Sequence, residues 1–173
     1  KLDMWGCPDV TDAAFVNLKG IQMLSIATCE GITDAAFEHL RGIHTLDISY
    51  CDKLTDAAFE NLRGIHTLSM KKCYGITDAA FVNLAGIHTL DMLGCDHGGI
   101  TDAAFAHLSG INTLDMSECN QEGITDAIFT HLRGIQNLNM KLCSQRTLTG
   151  DNLASLGCNL KTLGVRYCNE RLI

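Results

Sequence analysis

Residues 75–95, GITDAAFVNLAGIHTLDMLGC, are the unit from which almost the whole chain is copied. Thr77 reads as a helix start, the apolar run to Leu84 as a short helix, Gly86 as its stop, and His88 to Met92 as a strand ending near Cys95. One such unit cannot bury its apolar face by itself, whereas stacked copies can, and that is the logic of a solenoid. The element L-x-[MIV]-x-x-C begins at Leu2, Leu24, Leu46, Leu68, Leu90, Leu114, Leu138 and Leu163, in steps of 22, 22, 22, 22, 24, 24 and 25 residues. The later steps grow by insertions just after the cysteine, as at Asp96-His97-Gly98-Gly99 and Asn120-Gln121-Glu122-Gly123, so that loop is expected on the surface.

Within each unit a Leu, a variable residue and then Met, Ile or Val give the two-residue period of a strand with its apolar pair inward. Successive strands are separated by a helical return, so the sheet must be parallel. Thr11, Thr33, Thr55, Thr77, Thr101 and Thr125 stand at helix N-caps, each followed by an aspartate where the helix dipole favours it. Ala14, Phe15 and Leu18 fall on the inner face, and Gly20 is expected to be a left-handed C-cap. About two helical turns fit between cap and glycine, too few to stand without packing.

The run from Ile43 to Leu62, with its I-x-x-L-x-I-x-x-C frame followed by L-T-D-A-A-F-x-x-L, resembles the cysteine-containing class of leucine-rich repeats found in F-box substrate receptors of ubiquitin ligases. The resemblance implies a right-handed α/β leucine-rich-repeat solenoid, with a parallel sheet on the concave side and short helices on the convex side. It covers nearly the whole chain but departs from that class in its 22-residue steps and in lacking an F-box-like helical segment before Lys1. Residues 1–173 are expected to form a single domain of about seven repeats plus a final strand, with 144–173 as a degenerate capping repeat made polar by Asn169-Glu170-Arg171. The chain opens on Lys1 inside a repeat. It is therefore expected to be a fragment of a longer chain, with Leu2 and Met4 covered by a missing domain, a partner or a second copy.

A formal charge of −7, from 20 acids against 13 bases spread thinly, argues against nucleic acid or an anionic membrane as the main partner, since both favour clustered Lys and Arg. No apolar run approaches the roughly 18 residues of a membrane span, and KLDMWGC does not read as a signal peptide. Eight of the 9 cysteines, from Cys7 to Cys168, hold one place in successive repeats, and Cys158 lies off that column. Adjacent parallel strands are close enough for disulfides, so distance alone does not exclude them. A thiol repeated once per turn behaves as a small buried hydrophobe, which points to free thiols and an intracellular protein.

Candidate recognition residues emerge when the repeats are compared column by column. The places before and after each inward Leu are nearly uniform and small or polar, with Asp47, Asp91 and Asp115 in the second of them. The two places after the Met vary in size and charge: Trp5, Lys71, Leu93, Lys141 and Arg166 in one, Tyr50, Lys72, Glu118, Leu142 and Tyr167 in the next. Variation at one edge of a copied unit suits a selective surface, while drift at exposed positions is the plainer alternative. Trp5, Tyr50 and Tyr167 are the best anchors, and Lys71, Lys72, Lys141 and Arg166 favour an acidic or carbonyl-rich partner. Eight strands at about 4.8 Å give a face nearly 40 Å long, the scale of a protein or peptide interface rather than of a metabolite site.

Asp91 and Asp115 adjoin on neighbouring strands, yet the same acid recurs at Asp3 and Asp47, which reads as a polar ladder more readily than as a catalytic pair. His44, His66 and His88 recur where other repeats carry Gln22, Asn112, Gln136 and Lys161, a polar loop position without zinc-type spacing. No phosphate loop or catalytic triad is present, and no cofactor is implied. The expected function is a non-catalytic module that binds a protein or peptide on its concave face. The alternatives are the substrate-receptor part of an F-box ubiquitin ligase, a structural subunit of a large assembly, and a consensus-like scaffold.

Overall fold

A computed structural model describes residues 1–97 and 99–168 of the chain. Strands β1 (Leu2–Asp3), β2 (Met23–Ser25), β3 (Thr45–Asp47), β4 (Thr67–Ser69), β5 (Thr89–Asp91), β6 (Thr113–Asp115), β7 (Asn137–Asn139) and β8 (Thr162–Gly164) make one parallel sheet in sequence order. Leu24, Leu46, Leu68, Leu90, Leu114 and Leu138 stand opposite one another without slip. The insertions that lengthen the later repeats therefore leave the register untouched.

The returns are tighter than the two-turn helices expected. Asp56–Phe59, Asp78–Phe81, Asp102–Phe105 and Ile128–His131 are single α-helical turns, the second and third running on into 3-10 turns at Val82–Leu84 and Ala106–Leu108, while Asp12–Leu18, Asp34–His39 and Leu153–Leu156 are 3-10 helices. Such short pieces gain little from propagation and hold their shape by packing. The stopping glycine is also not a helix cap. Ala85 at φ −55°, ψ 126° and Gly86 at φ +84° build a type II turn closed by Ile87 N donating to Leu84 O at 3.0 Å, and the third place of that turn favours glycine.

Thr33, Thr55, Thr77 and Thr101 cap as expected, each hydroxyl accepting from the backbone N–H two residues on, whereas Thr11 makes no such bond. The aspartate after each cap does more than meet a dipole. Asp78 reaches the next repeat, where its carboxylate accepts from Thr101 N at 2.7 Å and Thr101 Oγ1 at 2.6 Å. The same rung links Asp12 to Thr33, Asp34 to Thr55, Asp56 to Thr77, Asp102 to Thr125 and Asp126 to Thr149.

Between sheet and returns runs the core, a stack of fully buried Phe15, Phe37, Phe59, Phe81, Phe105 and Phe129 beside the strand leucines and Ile48, Met70, Met92, Met116 and Met140. Ala36, Ala58, Ala80 and Ala104 are buried against it, while Ala14 is exposed. Insertion loops are not wholly on the surface: Gln121 is buried and its amide donates to Cys95 O. Gly98 and residues 169–173, including the polar Asn169, Glu170 and Arg171, lie outside the described residues. Leu2 is exposed and Met4 half-buried.

All nine cysteines are free. Each column thiol from Cys29 onward donates across to the previous repeat, as Cys95 Sγ does to Met70 O at 3.0 Å and Cys73 Sγ to Ile48 O at 3.1 Å. Burial pushes the Cys51 and Cys95 thiols up to about 11 and Cys143 up to about 12. Because the thiolate is the reactive form, a thiol reagent at pH 8 should label exposed Cys158 first. Cys29, Cys51, Cys73, Cys95, Cys119 and Cys143 should react only after denaturation. Fast labelling of any of these six in the folded protein would contradict the arrangement.

Candidate binding surface

On the concave face, Asp47 Oδ1 accepts from the backbone N of Ser49 at 3.0 Å and from its hydroxyl at 2.6 Å, and Ser49 Oγ lies 2.9 Å from Ser69 Oγ. Asp115 is held likewise by Ser117, and its other oxygen accepts from Asn139 Nδ2 at 2.8 Å. Asp91 takes Lys71 Nζ at 3.0 Å, and this carboxylate beside it holds the Lys71 ammonium above its ordinary value. Asp47, Asp91 and Asp115 are thus half-buried members of a hydrogen-bonded ladder. Asp91 and Asp115 face different partners instead of each other.

The first variable column divides on burial. Ala27, Ser49 and Ser117 are buried, Lys71 and Leu93 half-buried, and Trp5, Lys141 and Arg166 exposed. The small buried members belong to the scaffold; only the larger ones are displayed.

The second variable column has a backbone property that residue type alone does not state. Thr28, Tyr50, Lys72, Glu118, Leu142 and Tyr167 all sit at φ between +51° and +62°, with Gly6 and Gly94 in the same place at +69° and +67°. Each but Tyr167 is the third residue of a turn closed by the cysteine N–H, as in Cys95 N to Met92 O at 3.1 Å. The same residues also continue the sheet's bonding, as Tyr50 N does to Lys71 O at 2.8 Å. Two hydrogen bonds hold a conformation that disfavours any residue with a Cβ by about 1–2 kcal/mol. The signal was present in the sequence as the two glycines.

Side chains project from this row in a fixed direction. Tyr50 is 45% exposed, Leu142 44% and Tyr167 73%, and Trp5 in the neighbouring column 69%. Lys72 lies across the bare Gly94, where an added Cβ would stand 3.0 Å from Lys72 Cγ and Cε, and reaches Glu118 at 3.9 Å. Lys72, Gly94 and Glu118 therefore act together.

His44, His66 and His88 form a stack with ring centroids 4.6 Å apart and planes within 14°, each Nδ1 lying 3.2 Å from the hydroxyl of the following threonine. Desolvation within the stack, then the charge of His44 and His88 on either side, holds His66 below the ordinary imidazole value. Among the described residues no group of three or more His, Cys, Asp or Glu is placed to hold a metal, and no helix is long and apolar enough to cross a membrane.

Solved structures repeat this architecture. A chain of the TLR13–ssRNA13 complex superposes with a TM-score of 0.76 at 22% identity over 96% of this chain. The fold is that of a leucine-rich-repeat solenoid. A chain of the Drosophila Toll–Spatzle complex matches this solenoid with a TM-score of 0.65 at 16% identity over 98%, and one from the yeast Rad7–Elc1 complex with 0.64 at 18% over 90%. The solenoid spans only 25%, 44% and 27% of the TLR13, Rad7 and Toll complex chains respectively. No protein-family model and no curated protein matches the sequence. The TLR13 chain was crystallised with single-stranded RNA, so the leucine-rich-repeat fold is no bar to nucleic acid. The expectation that nucleic acid is excluded is corrected accordingly: it rests on the acidic charge of this chain alone.

Proposed function

We propose that this solenoid is a non-catalytic module that binds a protein or an extended peptide along its concave face, with the row of left-handed turn residues as the reading edge. The observation that carries this is the retention of Tyr50, Lys72, Glu118, Leu142 and Tyr167 at backbone positions suited to glycine. A copied unit under no demand but folding would settle on glycine there, as it does at Gly6 and Gly94. Trp5, Lys71, Leu93, Lys141 and Arg166 flank that edge, and Asp47, Asp91 and Asp115 form the polar floor beneath it.

Leu142→Gly and Tyr50→Gly should leave stability unchanged or raise it by up to about 1 kcal/mol, the relief of strain being partly offset by the freer unfolded chain. In a comparative pull-down the same variants should lose the partner retained by the parent chain. Losses of stability above about 1 kcal/mol, or an unchanged catch, would overturn the reading.

The acidic balance of the chain, −7 overall, favours a protein partner over a polyanion such as RNA. The column of free thiols, each from Cys29 to Cys168 donating to a backbone carbonyl of the repeat before it, supports the cysteine-containing repeat class and a reducing, intracellular compartment.

A further inference from the structure

The convex side carries a feature that the sheet face does not explain. A cleft of about 550 Å³, lined by Arg41, Asp56, Glu60, Arg63, Val82 and Asn83, crosses three successive repeats, a volume in the range of ligand-sized sites. Arg41 Nε donates to Asn61 Oδ1 and Arg63 Nε to Asn83 Oδ1, both at 2.9 Å. Each guanidinium is tied by one edge to the repeat after it, and Asn83 is itself buried. That fixes the plane of the fork and leaves its Nη donors for an outside acceptor.

The two acids of the lining, Asp56 and Glu60, make no ion pair with the forks. Neither arginine has an ion-pair partner among the described residues. Both carboxylate oxygens of Asp56 are occupied by Thr77 N at 2.8 Å and Thr77 Oγ1 at 2.6 Å. Glu60 stands exposed on the rim. The tied pair is local: the equivalent places in other repeats hold Lys19 with His39, Ala85 with His107, Ser109 with His131, and Arg133, which has no asparagine at the matching place of the degenerate repeat after it. Exposed Ala57, Ala79 and Val82 supply small and apolar contact between the forks and the rim.

We propose that this cleft is a second binding site, independent of the concave face, which takes an acidic peptide segment of a partner protein with carboxylates held by the forks of Arg41 and Arg63. The geometry of the forks selects the occupant, because two pre-oriented guanidiniums match planar carboxylates in pairs, while Asp56 and Glu60 leave the lining as a whole without net positive charge. A segment lying across the repeats meets both forks at once, and Glu60 sets which places of that segment must not be acidic.

The probe is a fluorescent hexaglutamate peptide titrated into the full chain at low salt and followed by anisotropy. Binding is expected, and it should weaken as salt rises. Arg41→Gln and Arg63→Gln should each weaken it about tenfold or more. Arg63→Lys, which keeps the charge and loses the fork, should also weaken it, and Glu60→Gln should strengthen it about two- to fivefold. Arg41, Glu60 and Arg63 are all exposed, so folding should persist. Lys72→Gly should have no effect, which separates this site from the concave one. Wild-type affinity in Arg63→Lys, or in both glutamine variants of the arginines, would overturn the proposal. So would binding of inorganic phosphate at the cleft without binding of the peptide.

Discussion

Phe81→Ala should lower the stability of the fold by about 3–5 kcal/mol, the range for removing a fully buried ring where the surroundings close the cavity only in part. Phe81 is completely buried and sits midway in the stack of six phenylalanines. A solenoid repeat touches little besides its neighbours, so the loss should also weaken the coupling between the repeats on either side. Denaturant unfolding should shift to a lower midpoint and broaden or split. Hydrogen exchange should show amides near β4 and β5 losing protection before those of β2 or β7. A single sharp transition displaced by under 1 kcal/mol would show that the aromatic stack does not hold the repeats together.

Asp126→Ala should destabilise by about 2–3 kcal/mol, through donors left without their charged acceptor, and the damage should be confined to the last repeats. Asp126 accepts from Thr149 N at 2.8 Å, Gly150 N at 3.0 Å and Asp151 N at 3.0 Å as well as from the Thr149 hydroxyl. Burial alone would push this carboxyl up; the four hydrogen bonds outweigh it and hold the carboxyl below its ordinary value. The sign follows from that depression. The unfolded chain binds the proton more readily, so the stabilisation is complete above about pH 4, the ordinary aspartate range, and is lost as pH falls through the lower folded value. Asp126→Asn should therefore flatten the stability profile on the acid side. Exchange protection of β8 should fall while that of β3 and β4 holds. Equal loss at both ends, or a profile unchanged below pH 4, would count against this account.

How far the sequence foretold these features depends on how each one is encoded. The leucines from Leu24 to Leu138, the phenylalanine stack and the parallel order were legible because a repeated apolar period has few ways to be buried. The Asp78 to Thr101 bond was hidden by a sufficient local explanation, since an acid after a helix cap already suits the dipole and nothing in one unit points to the next. Ser49 and Ser117 share a column with Trp5 and Arg166, and only packing shows that the small members are buried scaffold. The left-handed row could have been found from Gly6 and Gly94, had their shared column been read as a backbone demand. Arg41 with Asn61, and Arg63 with Asn83, left no periodic mark, because polar residues twenty apart on the outer side look in sequence like any other surface variation.

The aspartate–threonine rungs have a direction. In every one of them the acceptor lies on the earlier repeat and the donors on the later, so each unit offers a socket ahead and a plug behind. A further copy of residues 75–98 spliced in before Gly99 would meet a matching fitting on both sides. The number of turns, and with it the span of both surfaces, is thereby an adjustable quantity of this architecture.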